Sequence, residues 1–158
     1  ECERGCVMAT DFGVVAWHED GHWNLARLEQ TRDFGAVIDR LKSLPVNGGA
    51  LALISIDEDF FIVARLLGTR MQAMISDVVF ALDYEVAAEL VEILDLPYPE
   101  EDDAAQPGGD MELLADLGIS AMELEAICDD EELYPDEQIE AIAARLGFGE
   151  NFSEMIEG

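Results

Sequence analysis

Five consecutive apolar residues, Ala50-Leu51-Ala52-Leu53-Ile54, are the strictest constraint on the fold. A strand without a polar face is stable only when both faces are covered, so this segment belongs at the centre of a sheet. Before it, Phe12, Val14 and Ala16 alternate along one strand, and Asp20-Gly21 is a two-residue hairpin signal leading into a return strand with Trp23 and Leu25. Thr31 is placed to cap a helix in which Phe34, Val37, Ile38 and Leu41 recur at helical spacing, and Pro45 with Asn47-Gly48-Gly49 closes it. After the central strand, Phe60-Phe61-Ile62-Val63-Ala64 and Met71-Gln72-Ala73-Met74-Ile75 continue as a meander through turns at Asp57-Glu58-Asp59 and Gly68-Thr69. A helix carrying Val86, Ala87, Leu90, Val91 and Leu94 on one stripe ends at Pro97.

The expectation is therefore an α+β fold. Its antiparallel five-stranded sheet occupies residues 1–96 in the order ββαβββα, a topology that resembles longin and roadblock modules. A homodimer through an edge strand, as roadblock-like modules form, is compatible with such a sheet. Residues 97–109 combine prolines, glycines and the acids Glu100, Glu101, Asp102 and Asp103, and read as a flexible linker. Residues 110–158 read as a small all-helical region. Asp110 caps a first helix carrying Leu113, Leu114 and Leu117, with Gly118 as its stop. Ser120 and Glu123 have capping-box spacing, and a last helix runs from near Pro135 to Gly147. These short helices bury little alone, so they dock on the sheet or order on a partner.

Charge narrows the function classes. The formal net charge is −28, and residues 1–70 carry 11 acidic and 7 basic groups against 25 and 1 in residues 71–158. With Arg145 as its single cation, the second half cannot neutralise phosphates, which excludes direct nucleic-acid binding through it, and an anionic membrane surface is excluded likewise. A basic protein is the partner such a surface attracts, through Asp57, Glu58 and Asp59, Glu100 to Asp103, and Asp129, Asp130, Glu131 and Glu132. An apolar span of membrane length is missing, the N-terminus lacks the zones of a signal peptide, and the cysteines are odd in number (Cys2, Cys6, Cys128), all of which point to the cytoplasm.

Chemistry-bearing motifs are weak. Cys2, Cys6, His18 and His22 approach zinc-finger spacing, but a turn at Asp20-Gly21 pairs His18 with Trp23 and Glu19 with His22, sending the two imidazoles to opposite faces. No metal or cofactor is expected. The acidic runs lack the calcium-loop pattern, Cys128 sits beside acids that blunt its reactivity, and phosphate-loop, nucleophile-elbow and zinc-deaminase patterns are absent. The expectation is a protein without catalytic residues.

Three stretches carry a family likeness: Leu96-Pro97-Tyr98-Pro99-Glu100-Glu101-Asp102-Asp103, Leu113-Leu114-Ala115-Asp116-Leu117-Gly118, and Leu133-Tyr134-Pro135-Asp136-Glu137. With Arg145-Leu146-Gly147-Phe148-Gly149-Glu150 and, upstream, Ile56-Asp57-Glu58-Asp59-Phe60-Phe61, they resemble a bacterial family named for association with the tRNA adenosine deaminase. The resemblance covers nearly all of the chain after about residue 10 and implies an accessory protein of that deaminase. A nucleic-acid mimic occupying the RNA site of another basic protein is the alternative.

Overall fold

The structure is a computed structural model that describes residues 11–157 except 20, 21, 29, 45–49, 58 and 131. Strands β1 (Phe12–Glu19) and β2 (His22–Arg27) form a hairpin, helix α1 (Phe34–Lys42) crosses over, and β3 (Ala50–Ile56), β4 (Phe60–Leu67) and β5 (Arg70–Ile75) follow as a meander. A 3-10 turn (Val78–Leu82) and helix α2 (Glu85–Ile93) complete the expected ββαβββα order. Then come β6 (Gly108–Gly109), a 3-10 turn (Ala115–Leu117), and helices α3 (Ala121–Cys128), α4 (Pro135–Leu146) and α5 (Gly149–Glu157).

All pairings are antiparallel, and the sheet order is β2-β1-β3-β4-β5-β6. The apolar run is central as expected, and every residue of β3 is buried. Alternation along the strands divides the core in two. Val15, Ala52, Ile54 and Ile62 face α1 and α2, whereas Val14, Leu53, Phe61 and Val63 face Leu113, Leu114 and the helices α3 to α5. The C-terminal helices thus dock on the sheet, forming a helix–sheet–helix sandwich in which each layer covers apolar area the others expose.

The sheet has six strands where the sequence led us to expect five. Gly109 pairs with Met74 and Gly108 with Ile75, inside the segment read as a linker. The glycines are there for close approach: a Cβ on Gly108 would run into the Val78 side chain, and one on Gly109 would lie 2.5 Å from the Ala73 carbonyl oxygen. Gly109 also has φ +100, a region that strains an L side chain. Around it the chain is tied down, because Val78 N donates to Gln106 O, Asp110 N to Ala73 O, and the Tyr98 hydroxyl to Ala81 O.

Two further boundaries differ. Helix α1 is capped by Asp33, whose Oδ1 accepts from Ala36 N at 3.2 Å, while Thr31 is buried and donates its hydroxyl to Asp11. The segment after Asp110 is a turn with a 3-10 end, stopped by Gly118 at φ +107, instead of a capped α-helix. The Ser120–Glu123 capping box is present as expected, and Ile119 and Leu124, the staple pair, are both fully buried. No helix among the described residues is long and apolar enough to cross a membrane.

Candidate functional site

Antiparallel order brings distant segments to one end of the sheet. β3 ends there, β4 starts there, β1 begins there because Phe12 pairs with Ser55, and β5 leaves there as Ser76 N donates to Phe61 O. Asp11, Arg32, the Asp57–Asp59 turn and Tyr84 meet at this rim.

Arg32 organises it. Its guanidinium forks onto Asp11, with Nε 2.6 Å from Oδ2 and Nη2 3.0 Å from Oδ1, and Nη2 reaches Asp57 Oδ1 at 2.9 Å. These hydrogen bonds, foremost the one to Asp11, raise the Arg32 pKa further and keep it charged. Asp57 adopts φ +51, a left-handed conformation, and its backbone N–H is held by Asp11 Oδ1 at 3.1 Å. The Tyr84 hydroxyl stands 2.6 Å from Asp57 Oδ2 and 2.5 Å from Asp59 Oδ2. A phenol has one proton, so it serves the two carboxylates in turn. Burial, then the bonds to Asp57 and Asp59, raise its pKa well above the usual phenol range. Arg32 also lies over the Tyr84 ring, 5.3 Å from its centre, and the ring packs edge-on to Phe60. A cleft of about 310 Å³ beside this network is lined by Arg32, Asp83, Tyr84, Glu85 and Val86.

The second acidic run adjoins the same end. Tyr98 bonds to the 3-10 turn that leads into Tyr84, and Glu100, Asp102 and Asp103 are exposed with carboxylate oxygens within 4.8 Å of one another. Glu101 is exposed beside them, and the Asp103 carboxylate accepts from Glu100 N at 2.8 Å. The third run lies apart, in the connection from α3 to α4 on the C-terminal layer. Asp129, Asp130 and Glu132 are exposed there, and Asp130 Oδ1 accepts from Glu132 N at 3.0 Å. Glu58 and Glu131 lie outside the described residues. The second run is thus tied to the 3-10 turn that precedes Tyr84, and the third sits on the connection from α3 to α4. Asp11, Arg32 and Tyr84 were missed because each is single in sequence.

The histidines sit as their hairpin register requires. His18 opposes Trp23 and Glu19 opposes His22, with the His18 and Trp23 rings edge to face at 5.2 Å. Cys2 and Cys6 lie outside the described residues. Cys128 is half-buried, and burial, reinforced by Asp129 and Glu125, pushes its thiol up to about 12. Its alkylation by iodoacetamide at pH 8 should run roughly 50-fold slower than that of free cysteine, since a smaller thiolate fraction outweighs the higher nucleophilicity of a more basic thiolate. Site-resolved mass spectrometry reads this directly, and a rate within about tenfold of free cysteine would contradict the buried placement.

Fold and rim together define an α+β protein whose antiparallel sheet is covered on both faces and carries carboxylates at one end. It belongs to the family of Rv3753c-like tRNA adenosine deaminase-associated proteins, whose profile matches residues 11–149. It is similar to protein Rv3753c of Mycobacterium tuberculosis (strain ATCC 25618 / H37Rv), with 33% identity over 151 residues, covering 92% of this chain and 87% of that protein. No solved structure matches.

Proposed function

We propose that this protein is a non-catalytic accessory module that holds a tRNA adenosine deaminase through its acidic rim. The observation that supports this reading is that Asp57 and Asp59 share the Tyr84 hydroxyl, while the run Glu100 to Asp103 follows a Tyr98 bond to the 3-10 turn that leads into Tyr84. A deaminase that grips tRNA must present cationic side chains for phosphates, and these are what a carboxylate rim attracts. The family description, deaminase-associated, supports the same reading. Asp129, Asp130, Glu131 and Glu132 would add long-range attraction without belonging to the same contact.

The test is binding of the purified deaminase from the same cells. Affinity should fall at least tenfold between about 50 and 500 mM salt, because rim charges act through a screened field. Neutralising the rim with Glu100→Gln, Glu101→Gln, Asp102→Asn and Asp103→Asn together should weaken binding at low salt and flatten its salt dependence. Failure to bind at low salt would end the proposal. Adding tRNA separates two modes: a ternary complex fits an accessory subunit, whereas displacement by tRNA indicates a nucleic-acid mimic occupying the RNA site.

A further inference from the structure

The two edges of the sheet are treated differently. At one edge β5 is closed by β6, with Gly108 and Gly109 pressed against Ile75 and Met74. At the other, β2 pairs with β1 only, and among the described residues no strand lies on its outer side. Unpaired edges template further pairing unless a proline, a bulge or an inward-pointing charge spoils them. The β2 sequence, His22-Trp23-Asn24-Leu25-Ala26-Arg27, has no proline and pairs with β1 one-for-one without a bulge, and its one cation, Arg27, is held on the chain's own Met155 carbonyl and Phe12 ring.

Register tells which backbone groups are free. Leu28 N donates to Gly13 O at 2.8 Å, so by the alternation of an antiparallel ladder residues 22, 24 and 26 also bond inward to β1. The N–H and C=O groups of Trp23, Leu25 and Arg27 consequently point out from the edge.

We infer that β2 is a self-association edge, on which a second copy of this chain lays its own β2 antiparallel, so that two six-stranded sheets become one. The pattern of free groups is self-complementary. With the two-fold axis at Leu25, that residue faces itself and Trp23 faces Arg27 of the second copy, giving about six new hydrogen bonds and no pair of like charges directly opposed. The groove beside the edge, about 530 Å³, is lined by Arg27, Leu28, Gln30, Ala36, Asp39 and Arg40. On a chain of net charge −28 this groove carries two cations against one acid, so a two-fold brings mixed-sign rims together where the rest of the surface would repel.

The experiment is sedimentation of the full chain combined with residue-resolved amide exchange. A particle of about 35 kDa, twice the 17.4 kDa chain, is expected, and salt should strengthen it by screening the like net charges. That is the opposite sign to the deaminase complex, so the two ideas fail separately. The amides of Trp23, Leu25 and Arg27 should be protected at high concentration and lose protection on dilution, while those of Asn24, Ala26 and Leu28 stay protected throughout. Leu25→Pro removes an N–H that the fold itself does not use and should raise the dimer dissociation constant at least 100-fold. A dimeric Leu25→Pro, or a dimer whose Trp23, Leu25 and Arg27 amides exchange freely, would overturn the inference. A monomer would too: fast amides there would leave the edge for another protein's strand, and protected ones would mean that the chain closes its own edge. Should Leu25→Pro fail to fold, the amide pattern of the unaltered chain decides alone.

Discussion

Phe152→Ala should lower the free energy of unfolding by about 3–5 kcal/mol and do so for the whole molecule at once. The side chain is fully buried in the layer between α3–α5 and the sheet, and its ring meets that of Phe12 edge to face at 5.5 Å. Truncation therefore opens a phenyl-sized void and removes an aromatic pair worth about 0.5–1.5 kcal/mol beyond its area. The two tryptophans report on opposite sides of the sheet. Trp17 packs against the α1–α2 layer, and Trp23 lies 5.0 Å from Phe148 in the C-terminal layer. In urea, Phe152→Ala should lower the midpoint by the same amount in the two single-tryptophan versions, made with Trp17→Phe and Trp23→Phe. A shift at Trp23 with none at Trp17 would mean that the layers melt separately and that the C-terminal helices are a separable unit.

That coupling was half legible in the sequence. The unbroken apolar run of β3 specifies a sheet covered on both faces, because no other arrangement removes so much apolar surface from water. Which helices supply the second cover could not be read, since amphipathic stripes in α3 and α4 say that a face is buried and not against what. Local chemistry was read well where a side chain serves its own neighbourhood, as with Ser120 and Glu123. It was misread where a distant group competes. Thr31 has the right character for a cap, but Asp11, 20 residues upstream, takes its hydroxyl and Asp33 caps instead.

Residues 97–109 show the same limit from another side. Proline, glycine and a run of acids suggest a solvated tether, and Glu100 to Asp103 are indeed exposed. Yet Gly108 lies against the Val78 side chain and Gly109 against the Ala73 backbone, both too close for a Cβ, and a composition rule cannot tell glycine for freedom from glycine for contact. The candidate rim was legible as charge and illegible as geometry. Asp57 and Asp59 announced themselves, whereas the partners that hold them, Asp11, Arg32 and Tyr84, come from 25 to 46 residues away.

Asp116→Ala should destabilise the protein by about 2–4 kcal/mol, while Arg65→Met should change stability by only about 1 kcal/mol. Arg65 points from β4 into the C-terminal layer with 4% of its side chain exposed. Its Nη1 donates to Leu113 O at 2.8 Å and to Asp116 Oδ1 at 2.5 Å, and Nη2 to Asp116 Oδ2 at 3.0 Å. Removing the carboxylate leaves a buried guanidinium with one carbonyl, an uncompensated charge. Removing the guanidinium frees Asp116, 63% exposed, to water, and methionine refills the volume. That exposure also keeps the expected loss below the limit for a fully buried pair. The pH dependence has a definite sign. Hydrogen bonds from Arg65 hold the Asp116 pKa below the ordinary 3.8, so its contribution is complete above that value and fades as pH falls through the lowered one. Urea midpoints of the unaltered protein should thus drop toward those of Asp116→Ala below about pH 4. If Arg65→Met proved as damaging as Asp116→Ala, the pair would be stabilising by attraction, and the penalty of burying an unpaired charge would not be what separates the two variants.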